Sequence, residues 1–128
     1  MKTKGFTLIE LMVVILIVGI LAAASVPMMR GRIDSAKWSE ANATAGTIRS
    51  AIRVYFAEHG SAPTGAMSTT NQDLLGFTTA DLTGTYFVPG DYTIDSVDSN
   101  GNAAVTVEGS QDNAPSGSKT LSASGTWN

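Results

Sequence analysis

The sequence predicts an α+β fold, with one long N-terminal α-helix packed against a small antiparallel β-sheet. Three observations predict it. Phe6 to Val26 is a 21-residue apolar run broken only by Thr7, Glu10 and Ser25. Ala41, Ala45, Ile48, Ile52 and Tyr55 then recur at steps of four, three, four and three, which lays one apolar stripe along a helix. Beyond Gly84, short runs alternate apolar with polar residues and are separated by turn residues.

The first run is long enough to span roughly 30 Å of hydrocarbon at the helical rise. Lys2 and Lys4 before it favour a cytoplasmic N-terminus, although Arg30, Arg32 and Lys37 follow on the other side. Glu10 is the oddity. A carboxylate at mid-membrane costs about 2.5–3.5 kcal/mol on insertion scales, so Glu10 calls for a partner. Cutting the chain after Gly5 would make one, because the amine of Phe6 would become a new positive charge. An ordinary secretory signal peptide, cleaved near Ala22-Ala23-Ala24-Ser25, is the main rival. Glu10 breaks its apolar core and the helical pattern continues past the cleavage point, so that reading is disfavoured. An anchor that is never cut is the other.

Two residues weaken the apolar helix. Pro27 has no N–H for the carbonyl of Ala23 and its ring crowds that turn. Gly19 costs up to about 1 kcal/mol relative to alanine. From Ile33 the amphipathic pattern takes over, and Lys37, Glu40, Arg49 and Arg53 fall off the stripe, to be solvated or to meet another subunit. Trp38 fits either a core or an interface. Gly60 after His59 reads as a C-cap, and Pro63 prevents continuation. A helix from Phe6 to His59 would be about 80 Å long, a length that suits a bundle.

Residues 60–84 read as an irregular connection with one short helical turn near Asn71–Leu75. Strands are expected at Tyr86–Val88, at Tyr92–Val97, at Ala103–Glu108 and from Lys119 to Ser124. Pro89-Gly90 ends the first, and Asp98-Ser99-Asn100-Gly101 joins the second to the third as a hairpin. The apolar face of this sheet should lie across Ile48, Ile52 and Tyr55. Of the 128 residues, 94 remain beyond position 34, enough for one modest core.

The net charge of −3 hides an asymmetry. Residues 1–59 hold seven Lys/Arg against four Asp/Glu, whereas residues 60–128 hold Lys119 alone against seven acids. An acidic head argues against nucleic acid as a partner, since phosphate binding needs clustered cations. Without cysteine there is no disulfide and no thiolate metal site. His59 is the only histidine and sits at a helix end, so neither an enzyme nor a cofactor is expected. Asp95, Asp98 and Asn100, with Asn102, offer oxygen ligands around a glycine, yet lack the spacing and closing glutamate of a calcium loop. Asp, Asn and Gly are also what a hairpin turn requires, and the turn is the favoured reading. Asn42-Ala43-Thr44 has the form of a glycosylation acceptor but lies mid-helix, and such matches are frequent by chance.

Lys4-Gly5-Phe6-Thr7-Leu8-Ile9-Glu10, followed by its apolar run, resembles the class III signal of type IV pilins and of the pseudopilins of type II secretion. The resemblance is close from Lys4 to about Pro27 and weaker to about Gly60. It implies a leader, residues 1–5, removed by a prepilin peptidase that cuts between Gly5 and Phe6 and methylates Phe6. It implies a transmembrane and filament-core helix over 6–33 and a head over 34–128. The head would comprise an amphipathic helix over 34–59, a connecting loop over 60–84 and an antiparallel sheet over 85–128. Glu10 becomes the assembly glutamate, paired with the Phe6 amine of a neighbouring subunit. Gly19 and Pro27 bound a stretch that loses helical structure on assembly in related filaments. The implied partners are further copies in a helical filament, the peptidase, an inner-membrane platform and its ATPase, and the membrane before assembly. The implied location is the bacterial inner membrane, then an extracellular pilus or a periplasmic pseudopilus. Pseudopilins often bind calcium in a C-terminal loop that has no counterpart to align here, which favours the pilus. A third reading is a secreted β-rich binding domain.

Overall fold

The structure, a computed structural model, describes residues 2–128; Met1, the first residue of the expected leader, lies outside the described residues. The chain divides into two compact units, one ending at Ser35 and one running from Ala36 to Asn128. Helix α1, Leu8–His59, contributes residues to both.

In the first unit α1 follows a short non-helical segment, and every side chain of this stretch is exposed. Nothing in the chain covers its leucines, isoleucines and valines; Ile15 is 67% exposed and Leu21 62%. By length and composition this part of α1 can cross a membrane. In water such a surface would be unfavourable by about 1.5–3 kcal/mol for each large side chain left unburied. Lipid or other apolar helices covering it would relieve that cost.

The second unit is built on the stripe. Ala41, Ala45, Ile48 and Ile52 are completely buried, and Tyr55 is half-buried. Trp38 belongs to the same core, with its ring 5.4 Å from Phe87 and 6.1 Å from Trp127. Gly60 ends α1 in the left-handed region (φ 71°), and its N–H donates to the Phe56 carbonyl at 2.8 Å.

The sheet has four antiparallel strands in sequential order: β1 Gly65–Ala66, β2 Tyr92–Val97, β3 Ala103–Glu108 and β4 Ser118–Leu121. Tyr92 faces Val107, Ile94 faces Val105, and Val105 faces Leu121, and all of these are buried. Burial pushes the Tyr92 hydroxyl up to about 12, against an opposing hydrogen bond with Thr44. A bulge between Ile94 and Ser96 reverses the alternation. Val97 rather than Ser96 therefore packs on the core, where strict alternation had placed Ser96.

Four features differ from the expectation. Tyr86–Val88 is not a strand, because the backbone N–H groups of Thr85, Tyr86 and Phe87 donate to the Glu40 carboxylate at 3.1, 2.9 and 3.2 Å. Groups spent on a side chain cannot join a ladder. Gly84 makes the approach possible, since a Cβ there would collide with the carboxylate. The first strand instead lies at Gly65–Ala66, inside the stretch read as a connection.

That stretch also holds two helices, α2 Thr69–Leu75 and α3 Thr79–Leu82. The second follows a capping box in which Thr78 and Asp81 exchange hydrogen bonds, and these hold the Asp81 carboxyl below its usual range. The last strand ends at Leu121 instead of Ser124. Beyond it the chain turns back, and Thr120 and Asn128 exchange both backbone bonds (3.0 and 3.1 Å). Arg49 fastens this tail by donating to the Ala123 carbonyl.

Candidate functional site

Lys2 to Thr7 lie outside any helix or strand and are exposed, so the Gly5–Phe6 bond sits in accessible, irregular backbone. The Phe6 side chain is 85% exposed. Backbone of this kind, without helical hydrogen bonds to break, is the preferred target of a peptidase. The helix starts two residues later for a local reason. The Thr7 N–H and hydroxyl both donate to Glu10 Oε2, at 2.7 and 2.8 Å. The Glu10 N–H donates back to the Thr7 hydroxyl at 3.3 Å. This reciprocal pair is a capping box, and it puts a carboxylate at the positive end of a helix dipole.

Glu10 thus has a partner within its own chain. Thr-x-x-Glu before an apolar run is the sequence signature of such a box, and it gives Glu10 a partner besides the amine that a cut after Gly5 would create. The two roles are compatible. Oε2 takes both Thr7 bonds, which leaves Oε1 for a cation.

Gly19 and Pro27 lie within α1, which continues through both. Ser25, between them, donates its hydroxyl to the Leu21 carbonyl at 2.8 Å. Such back-bonding competes with the backbone ladder and slightly destabilises a helix. Three departures from a good helix former therefore fall within nine residues, Gly19 to Pro27.

The oxygen-rich residues of the head are occupied by the fold. Asp98 accepts the N–H of Asn100 and of Asn102 (2.9 and 2.8 Å) and the Asn102 side-chain amide (3.0 Å). These bonds, those of Asn102 foremost, hold its carboxyl below the usual range. Gly101 N–H closes the turn onto the Asp98 carbonyl at 3.0 Å. Asp95 instead accepts the Thr106 hydroxyl at 2.6 Å. The structure therefore groups Asp98 with Asn100 and separates Asp95 from them. No group of three His, Cys, Asp or Glu that could hold a metal occurs among the described residues. His59 is stacked on Tyr55, with ring centroids 4.1 Å apart, and its Nδ1 lies 3.0 Å from the Tyr55 carbonyl. Asn42 is exposed on α1.

Residues 1–26 match the family described as the prokaryotic N-terminal methylation motif. The chain is 45% identical over 76 residues to a fimbrial protein of Neisseria meningitidis serogroup B, a match covering 57% of this chain and 45% of that protein. It is 44% identical over 64 residues to the major component of the type IV narrow pilus of Thermus thermophilus, covering 50% of this chain and 55% of that protein. It is 50% identical over 60 residues to a type IV major pilin of Neisseria gonorrhoeae, covering 47% of this chain and 36% of that protein. The chain thus spans between about a third and about half of the length of the curated relatives it matches. A methylation motif over residues 1–26, an apolar helix that its own chain leaves exposed and relatives named as pilins make this chain similar to type IV pilins over about half of its length.

Proposed function

We propose that this protein is a prepilin, the structural subunit of a type IV pilus. Residues 1–5 are a leader that prepilin peptidase removes after Gly5, and Phe6 becomes the N-methylated terminus. Residues 6–33 are the stem, held in the inner membrane until an assembly platform and its ATPase add the subunit to the filament. Residues 34–128 are the head, exposed on the cell surface once the filament is extruded. The role is structural rather than enzymatic. One observation carries the reading: a methylation motif covers residues 1–26, and the apolar helix within it is left exposed by its own chain. Lipid covers that surface before assembly and other stems cover it afterwards, so the apolar contacts are exchanged rather than lost.

The N-terminal residue of the mature protein is the deciding measurement, made by mass spectrometry on sheared surface material and on the remaining envelope separately. N-methylated Phe6 in the sheared fraction is the expected result. The same terminus confined to the envelope would mean a short periplasmic pseudopilus of type II secretion instead. A chain starting at Ser25 would mean a secreted domain with an ordinary signal peptide and would overturn the reading.

The stretch from Gly19 to Pro27 is the part of the stem that gives way on assembly. Glycine, the Ser25 back-bond and the missing Pro27 donor already weaken it, so tight packing can melt it at little cost. A density map of the filament is expected to show non-helical backbone there. An unbroken helix from Leu8 to Ile33 in that map would refute the melting.

A further inference from the structure

Of the large apolar side chains that the described residues expose, only Val54 and Leu74 lie outside the stem, at 60% and 46% exposure. They line one groove. Ala51, Val54, Tyr55 and Glu58 of α1 form one wall and Leu74 and Leu75 of α2 the other, around about 260 Å³. The rim is acidic, with Glu58 in the wall and Asp73 exposed beside Leu74. Elsewhere on the same chain, exposed Met29, Arg32 and Ile33 share one face of α1, three and four positions apart.

We propose that this groove receives the Met29–Ile33 face of a second copy of the chain. The inference rests on the filament reading above and adds a specific contact to it. Charge argues for the occupant, because a basic, apolar helix face meets an apolar groove with an acidic rim. Order argues for it as well. Stems inserted from one membrane side are parallel, and each surface presents an apolar residue followed about one turn later by a charge. Met29 then meets Val54 while Arg32 meets Glu58. The two surfaces differ and sit on one chain, so the contact is heterologous and does not close on itself, which is the geometry that generates filaments. The shift between contacting subunits is about 25 residues of α1.

The chain has no cysteine, so introduced thiols can react only with each other. The full-length Met29→Cys/Val54→Cys variant should form filaments whose oxidation gives a ladder of covalent multimers on a denaturing gel. A disulfide needs Cα atoms about 4.4–6.8 Å apart, so the ladder reports direct contact. Neither single variant should give one. A charge-reversal series supplies an independent readout. Glu58→Arg should lower sheared filament several-fold, and adding Arg32→Glu should restore it. Filaments of the double-cysteine variant without a ladder would overturn the proposal, as would a ladder from Val54→Cys alone. If the double-cysteine variant does not assemble, failure of Arg32→Glu to restore Glu58→Arg overturns it. Absence of filaments from the unaltered chain would remove the filament reading itself, a result distinct from any of these.

Discussion

Glu10→Ala is expected to insert in the membrane and to be cut after Gly5, yet to yield no filaments. Insertion should be no harder, since a carboxylate within the bilayer is unfavourable. Cleavage should be unaffected because the Gly5–Phe6 bond lies in the exposed segment before the helix. Loss of the capping box with Thr7 weakens the first turn, which frays a 52-residue helix without unfolding it. Assembly is different. A Phe6 amine packed among apolar stems without an anion is a buried, unpaired charge, a situation that costs about 3–5 kcal/mol. That corresponds to a loss in subunit affinity of at least about a hundredfold. Glu10→Gln separates the two roles, since its amide oxygen can still accept from Thr7 but carries no charge. It should keep the cap and still fail to assemble. The readouts are the mass of the processed chain and the amount of sheared filament seen by electron microscopy. Normal filaments from Glu10→Gln would mean that Glu10 acts as a helix cap alone.

The stem was legible in the sequence because its information is local. An apolar run, a preceding glycine and an out-of-place acid depend on nothing distant, and neither do the stripe through Ile48 and Ile52 or the Asp98–Gly101 turn. What could not be read was set by long-range competition for backbone donors. Tyr86-Phe87-Val88 has every strand propensity, yet its N–H groups belong to Glu40, some 45 residues earlier. Nothing in the local sequence of either partner announces that pairing. Two misses were readable. Thr7-x-x-Glu10 and Thr78-x-x-Asp81 both carry the pattern of a capping box, and both form one. The role of Val54 and Leu74 could not be read either. Their exposure follows from where α1 meets α2, which periodicity alone does not give.

Glu40→Ala is expected to be the most destabilising single change on the polar face of α1. The half-buried carboxylate holds three consecutive N–H groups, two on Oε1 and one on Oε2. Hydrogen bonds to a charged acceptor contribute about 1.5–3 kcal/mol each, and partial exposure brings the sum down to about 2–4 kcal/mol. The consequence reaches the core. The same three residues carry Phe87, which is fully buried, lies 5.4 Å from Trp38 and 6.4 Å from Tyr92, and depends on that backbone for its position. For a unit of this size the loss should lower Tm by roughly 10–20 °C. Thermal unfolding of the detergent-solubilised full chain, followed in the near ultraviolet through these aromatics, measures it. Glu40→Gln keeps one acceptor oxygen but turns an amide NH₂ towards backbone donors, so it should show at least half of the effect. Glu58→Ala, on an exposed rim with no backbone donor to hold, should leave Tm unchanged. A Glu40→Ala protein that melts within about 2 °C of the unaltered chain would mean that the backbone from Thr85 to Phe87 is held by the packing of Phe87, with the carboxylate as a bystander.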